Sequence, residues 1–130
     1  MNLADDVFLE KALENLAAAQ SEFVNRQFNS CASRCYYACF QAAVYALAIA
    51  GIRPQRNPEQ WGHDFVQAQF NGQLIDRRKL YPASLRSVLN QNYTLRERAD
   101  YSTDRVTEVQ AGRALDKAEA LCRAVEEKRR

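Results

Sequence analysis

Few side chains in this sequence can do chemistry, and they are unevenly placed. His63 is the one histidine among 130 residues, and imidazole is the side chain best matched to exchanging a proton near neutral pH. Arg96, Arg98, Asp100 and Tyr101 fall within six residues. Guanidinium groups hold phosphate bidentately, a carboxylate orients an Arg or takes a proton, and a phenol hydrogen-bonds a phosphate or accepts a modification. The competing reading of this hexapeptide is a joint, in which Arg96 or Arg98 pairs with Asp100 to fix a turn between helices and Tyr101 plugs the end of a bundle. Arg34 either reaches the same groove or is a surface residue in the second turn of an apolar helix. Cys31, Cys35 and Cys39 stand at successive i, i+4 steps, spread over about 12 Å of helix axis, too far to share one zinc. With Cys122 in a separate apolar stripe, the four read as small core residues, with no metal site. There is no Gly-rich phosphate loop, paired-carboxylate helix motif or Cys-His arrangement. Composition and periodicity alone therefore name no enzyme and no cofactor.

Composition bounds the class of protein. At 14.9 kDa, with 47% hydrophobic and 26% charged residues, four Gly and three Pro, residues 1–130 suit a single domain that buries about two thirds of its surface without disulfides. Collagenous, low-complexity and disordered classes are excluded. A net charge of +2 is too small for binding to nucleic acid or an anionic membrane by bulk electrostatics. Its distribution is asymmetric, since residues 25–58 hold Arg26, Arg34, Arg53 and Arg56 and no acid. Such a run marks either a basic face or ordinary solvated surface. Asp5 and Asp6 interrupt any leader-like pattern, and the expected location is cytoplasmic.

Helical periodicity supplies the frame that must position these residues. Leu9, Leu13, Leu16 and Phe23 predict a long first helix from Leu3 to about Gln27. Asn29 or Ser30 would cap a second helix, Cys31 to Ala50, apolar nearly all round and ended by Gly51. Between Cys35 and Ile52 only Gln41 is strongly polar, yet 18 Ala-rich residues are marginal for a membrane span, so a buried central helix is expected. Asn57, Pro58 and Gln60 form a start signal for a short third helix to Phe70. Asn71-Gly72 would end it, leaving Gln73 to Leu80 as an irregular crossover. Pro82 can open a fourth helix carrying Leu85, Val88, Leu89, Asn92 and Leu95 and continuing into Arg96 to Ala99. Thr107 and Gln110 give a capping box for a last helix striped by Val109, Ala114, Leu115, Ala118, Leu121, Cys122 and Val125. The expected fold is all-α, an antiparallel up-and-down bundle of four main helices plus one short helix.

The segment Ser33-Arg34-Cys35-Tyr36-Tyr37-Ala38-Cys39-Phe40-Gln41-Ala42-Ala43, followed by a Gly-terminated helix and later by Arg96-Glu97-Arg98-Ala99-Asp100-Tyr101, resembles the HEPN-domain family. The likeness is greatest to small stand-alone members encoded beside minimal nucleotidyltransferases, and it covers nearly the whole chain. It implies a homodimer, a nucleotidyltransferase partner in a toxin-antitoxin type module, and RNA or a nucleotide as ligand. Toxic members of the family are metal-independent ribonucleases. They carry Arg followed after four to six residues by His, the Arg holding a phosphate while the His moves the 2′-hydroxyl proton. Residues 96–103 contain no His, so the implied ribonuclease activity is weak or lost. Arg56 and His63 have the spacing, but Pro58 lies between them and they sit in a different element. The resemblance thus makes Arg96, Asp100 and Tyr101 the catalytic candidates, and Arg34, Arg96, Arg98 and His63 the RNA- or nucleotide-binding ones. By its position alone, His63 reads as a packing or hydrogen-bonding residue rather than a base. Tyr36, Tyr37, Phe40 and Tyr45 read as core or dimer seam rather than a base-stacking platform. The alternative function is a non-catalytic homodimeric scaffold that binds nucleotides or protein.

Overall fold

The short apolar side chains of the second helix dictate the arrangement. In the computed structural model, which describes residues 3–57 and 60–129, α2 (Phe28–Ile49) has thirteen of its 22 residues buried. Most are Ala or Cys, so neighbouring backbones can approach closely. α1 (Leu3–Val24) and α5 (Glu108–Arg129) answer with small residues of their own, Ala12 and Ala19 on one and Ala111, Ala114 and Ala118 on the other. α4 (Val88–Tyr101) completes the four-helix bundle around α2. Among the described residues there is no strand. Most of the apolar surface of α2 is thus covered inside one chain, Tyr37 and Ile49 being its exposed large residues. Among the described residues no helix is long and apolar enough to cross a membrane. Gln41 is accommodated by accepting from Asn15 Nδ2 of α1 at 2.8 Å.

Helix ends depart from expectation in instructive ways. α2 begins at Phe28, with Gln27 at its cap and no side-chain capping bond. Phe28 packs on Phe23 (ring centroids 5.6 Å apart), which draws the helix start forward, and Asn29 Oδ1 instead accepts from the Val106 N–H at 2.9 Å. Ile49 is the last residue of α2, and Gly51 follows at φ 80°, a conformation that favours glycine. The third helix starts later than expected. Pro58 lies outside the described residues. Gln60 N–H donates to the Asn57 carbonyl at 2.9 Å, but α3 (His63–Gln69) begins only after Gly62. Trp61 packs its edge against Phe8 and Phe65, 6.2 Å from each, holding the chain off the helical path until His63.

Asn71-Gly72 does not end a helix. α3 runs on into a π-helical segment, Phe70–Arg77, that buries Phe70, Leu74 and Ile75, so most of the expected irregular crossover is helical. Burial of three large apolar side chains outweighs the weak helix preference of Asn-Gly. The segment closes with Lys79 at φ 53°. Pro82 opens only a short 3₁₀ turn, Ala83–Leu85, before α4 begins at Val88. The capping box on α5 forms as read: Gln110 N–H donates to Thr107 Oγ1 at 3.1 Å, and Thr107 N–H to Gln110 Oε1 at 3.0 Å. Within its stripe Val109 is the exception, being exposed.

Candidate functional site

All four cysteines are buried and free. Cys39 Sγ accepts from the buried Asn92 Nδ2 at 3.0 Å, and burial pushes the Cys122 thiol up to about 12. Cys39 and Cys122 are therefore core groups of low reactivity.

Arg96 to Tyr101 is not a turn. It is the C-terminal part of α4, which remains helical through Tyr101 and stops where Ser102 becomes extended. Helical spacing therefore sorts the hexapeptide onto faces. Arg96 and Asp100 share one, with Arg96 Nη1 donating to Asp100 Oδ2 at 3.4 Å, and Tyr93 lies on it a turn earlier. Arg98, two residues on, is exposed and does not line the adjacent cleft. Tyr101 is 76% exposed and plugs nothing.

Arg96 is the centre of the arrangement. Its side chain is only 13% exposed, with the guanidinium carbon 5.0 Å from the ring centre of Tyr36, 5.3 Å from Tyr93 and 5.8 Å from Tyr37. Nη2 reaches Glu97 Oε1 at 3.3 Å. Burial opposes the charge, but Tyr37, Glu97, Tyr101 and Tyr36 outweigh it and hold the guanidinium protonated. The Tyr36 hydroxyl, chiefly through burial, is pushed up to about 12.

His63 arrives at the same two tyrosines from another element. Its ring stacks on Tyr93 with centroids 4.0 Å apart, and Nδ1 lies 2.9 Å from the Tyr36 hydroxyl. Burial, with a smaller push from Arg96, lowers its pKa against the opposing effects of Gln67, Asp64 and Glu97. The imidazole is therefore neutral at pH 7 and able to accept a proton. His63 is the first residue of α3 rather than one turn into it. It is joined to Arg96, 33 positions away, through shared rings and not to Arg56, which lines a different groove.

Beside this cluster is a cleft of about 550 Å³ lined by Ser33, Arg34, Tyr37, Asp100, Glu22 and Asn29 among others. Ser33 Oγ donates to Asp100 Oδ1 at 2.9 Å, and Arg34 Nη1 to Asn15 Oδ1 at 3.1 Å. The structure thus brings Arg34, Arg96, Asp100 and His63 to one side of the bundle, leaves Tyr101 at its rim, and places Arg98 outside. Tyr36 is core as expected, but together with Tyr37 it is also the platform under Arg96. Tyr93, Glu97 and Ser33 were missed as site residues. Their signal was the i−3, i+1 spacing to Arg96 and the Ser-Arg pair at the head of the Tyr-Tyr motif.

The chain matches the family model described as "HEPN domain" over residues 6–128. It is also similar to a Methanocaldococcus jannaschii protein named "Putative toxin MJ0605", with 30% identity over 114 residues that make up 85% of this chain and 78% of that protein.

Proposed function

The chain belongs to the HEPN-domain family, and on that premise we propose that it is the toxin-like, RNA-directed member of a two-component module whose other member is a nucleotidyltransferase. The relative named as a toxin supports the biological role. The observation that carries the site is the joint seating of Arg96 and His63 on Tyr36 and Tyr93. It supplies what the sequence lacks locally: a fixed cation for phosphate next to a neutral imidazole. Arg96 would hold the scissile phosphate while His63 takes the 2′-hydroxyl proton; the 2′-oxygen bonds to phosphorus as the bond to the 5′-oxygen breaks. Cleavage by the isolated chain is expected to be slow. His63 Nδ1 is already occupied by Tyr36, and the terminal nitrogens of Arg96 are engaged with Glu97 and Asp100. Those two contacts are longer than a good charge-assisted bond of about 2.8 Å, so a phosphate oxygen can displace them.

A second reading, a non-catalytic scaffold, is favoured by the low exposure of Arg96 and its two carboxylate neighbours. One set of variants separates the readings: Arg96→Ala, Arg96→Lys, His63→Ala, Tyr101→Phe and, as control, Arg98→Ala. Each is tested for single-stranded RNA binding, cleavage, growth inhibition with and without the partner, and melting temperature. We expect Arg96→Ala to lower RNA affinity tenfold or more, His63→Ala to abolish residual cleavage while binding persists, Tyr101→Phe to blunt the response to the partner, and Arg98→Ala to change little. If Arg96→Lys restores stability and RNA binding is wild-type in every variant, the scaffold reading replaces this one.

A further inference from the structure

The basic stretch of sequence between α2 and α3 is not spent on the site above. Residues 52–57 form the wall of a separate groove of about 490 Å³ whose other side is α3. Arg53 and Arg56 line it together with the side-chain amides of Gln55, Gln60 and Gln69, and with Phe65. Arg53 is committed to Asp5 of α1 at 2.6 Å; Arg56 is exposed and has no ion pair among the described residues. The Arg78 side chain donates to the Ala50 carbonyl at 3.1 Å, fastening the π-helical segment to the root of the connector and setting the exposed Arg77 and Lys79 beside it in sequence.

Ile52 and Pro54 complete the lining, which holds neither of the Trp or Tyr anchors that commonly centre a protein-docking surface. It is the composition that suits a nucleotide: guanidinium for phosphate, amides that both donate and accept as base edges do, and one aromatic ring for a base to pack on. α3 connects the two places. His63 at its start serves the Arg96 cluster while Phe65 and Gln69 serve the groove, and the seven residues span about 9 Å. We propose that this groove is a second contact for the same single-stranded RNA, taking a nucleotide that flanks the one held at Arg96, with Arg56 as its phosphate ligand. The inference rests on the RNA-directed reading above.

The test is the affinity of the full chain for a fluorescent single-stranded RNA dodecamer, measured by anisotropy between 50 and 200 mM salt. Arg56→Glu, Arg56→Ala and Arg56→Lys are compared with Arg96→Ala, melting temperature being recorded for each. Arg56→Glu should weaken binding tenfold or more with an unchanged melting temperature. Arg56→Ala should reduce the slope of log affinity against log salt by about 0.7, the value for one phosphate contact on a single strand. Arg56→Lys should stay within about threefold of wild type, since it keeps the charge. If all three Arg56 variants bind like wild type while Arg96→Ala loses binding, the groove is not a contact and the Arg96 site stands. Loss in Arg56→Glu with none in Arg96→Ala would keep the groove and remove the other site. Absence of RNA binding by the wild type at 50 mM salt would overturn both.

Discussion

Arg96 carries its charge against three tyrosine rings with little access to water, an environment in which each cation–π contact is worth about 1 kcal/mol or more. Its removal is therefore expected to cost on the order of 2 kcal/mol, lowering the melting temperature by several degrees. An exposed Arg–Asp pair closing a turn would cost far less. That is why function in the Arg96 variants has to be read beside their stability and beside Arg96→Lys. His63 gives a sharper expectation through pH. Its pKa is depressed in the fold, chiefly by burial, below the value of about 6.5 that it has in the unfolded chain. The unfolded chain then binds more protons just below pH 6.5, so the contribution of His63 is present in full above that pH and is lost as the pH falls through the folded value. We expect the stability of wild type relative to His63→Gln to shrink between pH 7.5 and 5.5, as read by chemical denaturation. Parallel curves would mean that His63 does not sit against Tyr93 and Tyr36.

At the scale of the element, two glycines behave oppositely although both stand at sequence positions that look like helix stops. Gly51 has φ 80°, with nothing within 4 Å of an added Cβ, so the cost of Gly51→Ala is purely a backbone one of about 1 kcal/mol. Gly72 lies within the π-helical segment at an ordinary φ and also has open space around an added Cβ. Gly72→Ala should therefore be neutral or stabilising by about 0.5 kcal/mol. Urea denaturation of the two variants checks this directly; a destabilised Gly72→Ala would mean that Asn71-Gly72 does form a break. The helix patterns were legible because apolar side chains recur with the helical period in α1, α2, α4 and α5. The continuation of α3 was not, because only contact with the core makes the burial of Phe70, Leu74 and Ile75 outweigh a local Asn-Gly signal.

For the whole molecule, dimerisation is expected from the family. Tyr37 and Tyr101, 40% and 76% exposed, flank the Arg96 cluster and would lie near a seam that pairs two such clusters. Light scattering at micromolar concentration should give about twice the 14.9 kDa chain mass, and a constant value near 15 kDa would refute the dimer.

Sequence by itself determined the helical class, the central place of α2, the capping box that starts α5, and the family, because each is written in local spacing or in motifs. It also singled out His63 and the Arg96 to Tyr101 segment as residues with chemistry to offer, but it placed them in separate elements. Only the tertiary structure decided that they meet. Tyr36 of α2 and Tyr93 of α4 hold both an imidazole and a guanidinium, and the packing of α3 against the bundle closes a sequence gap of 33 residues. The same packing gave Arg56 to another groove. No local rule contains that information: which charged side chain shares a face with which depends on how the elements carrying them are pressed together by the burial of everything else.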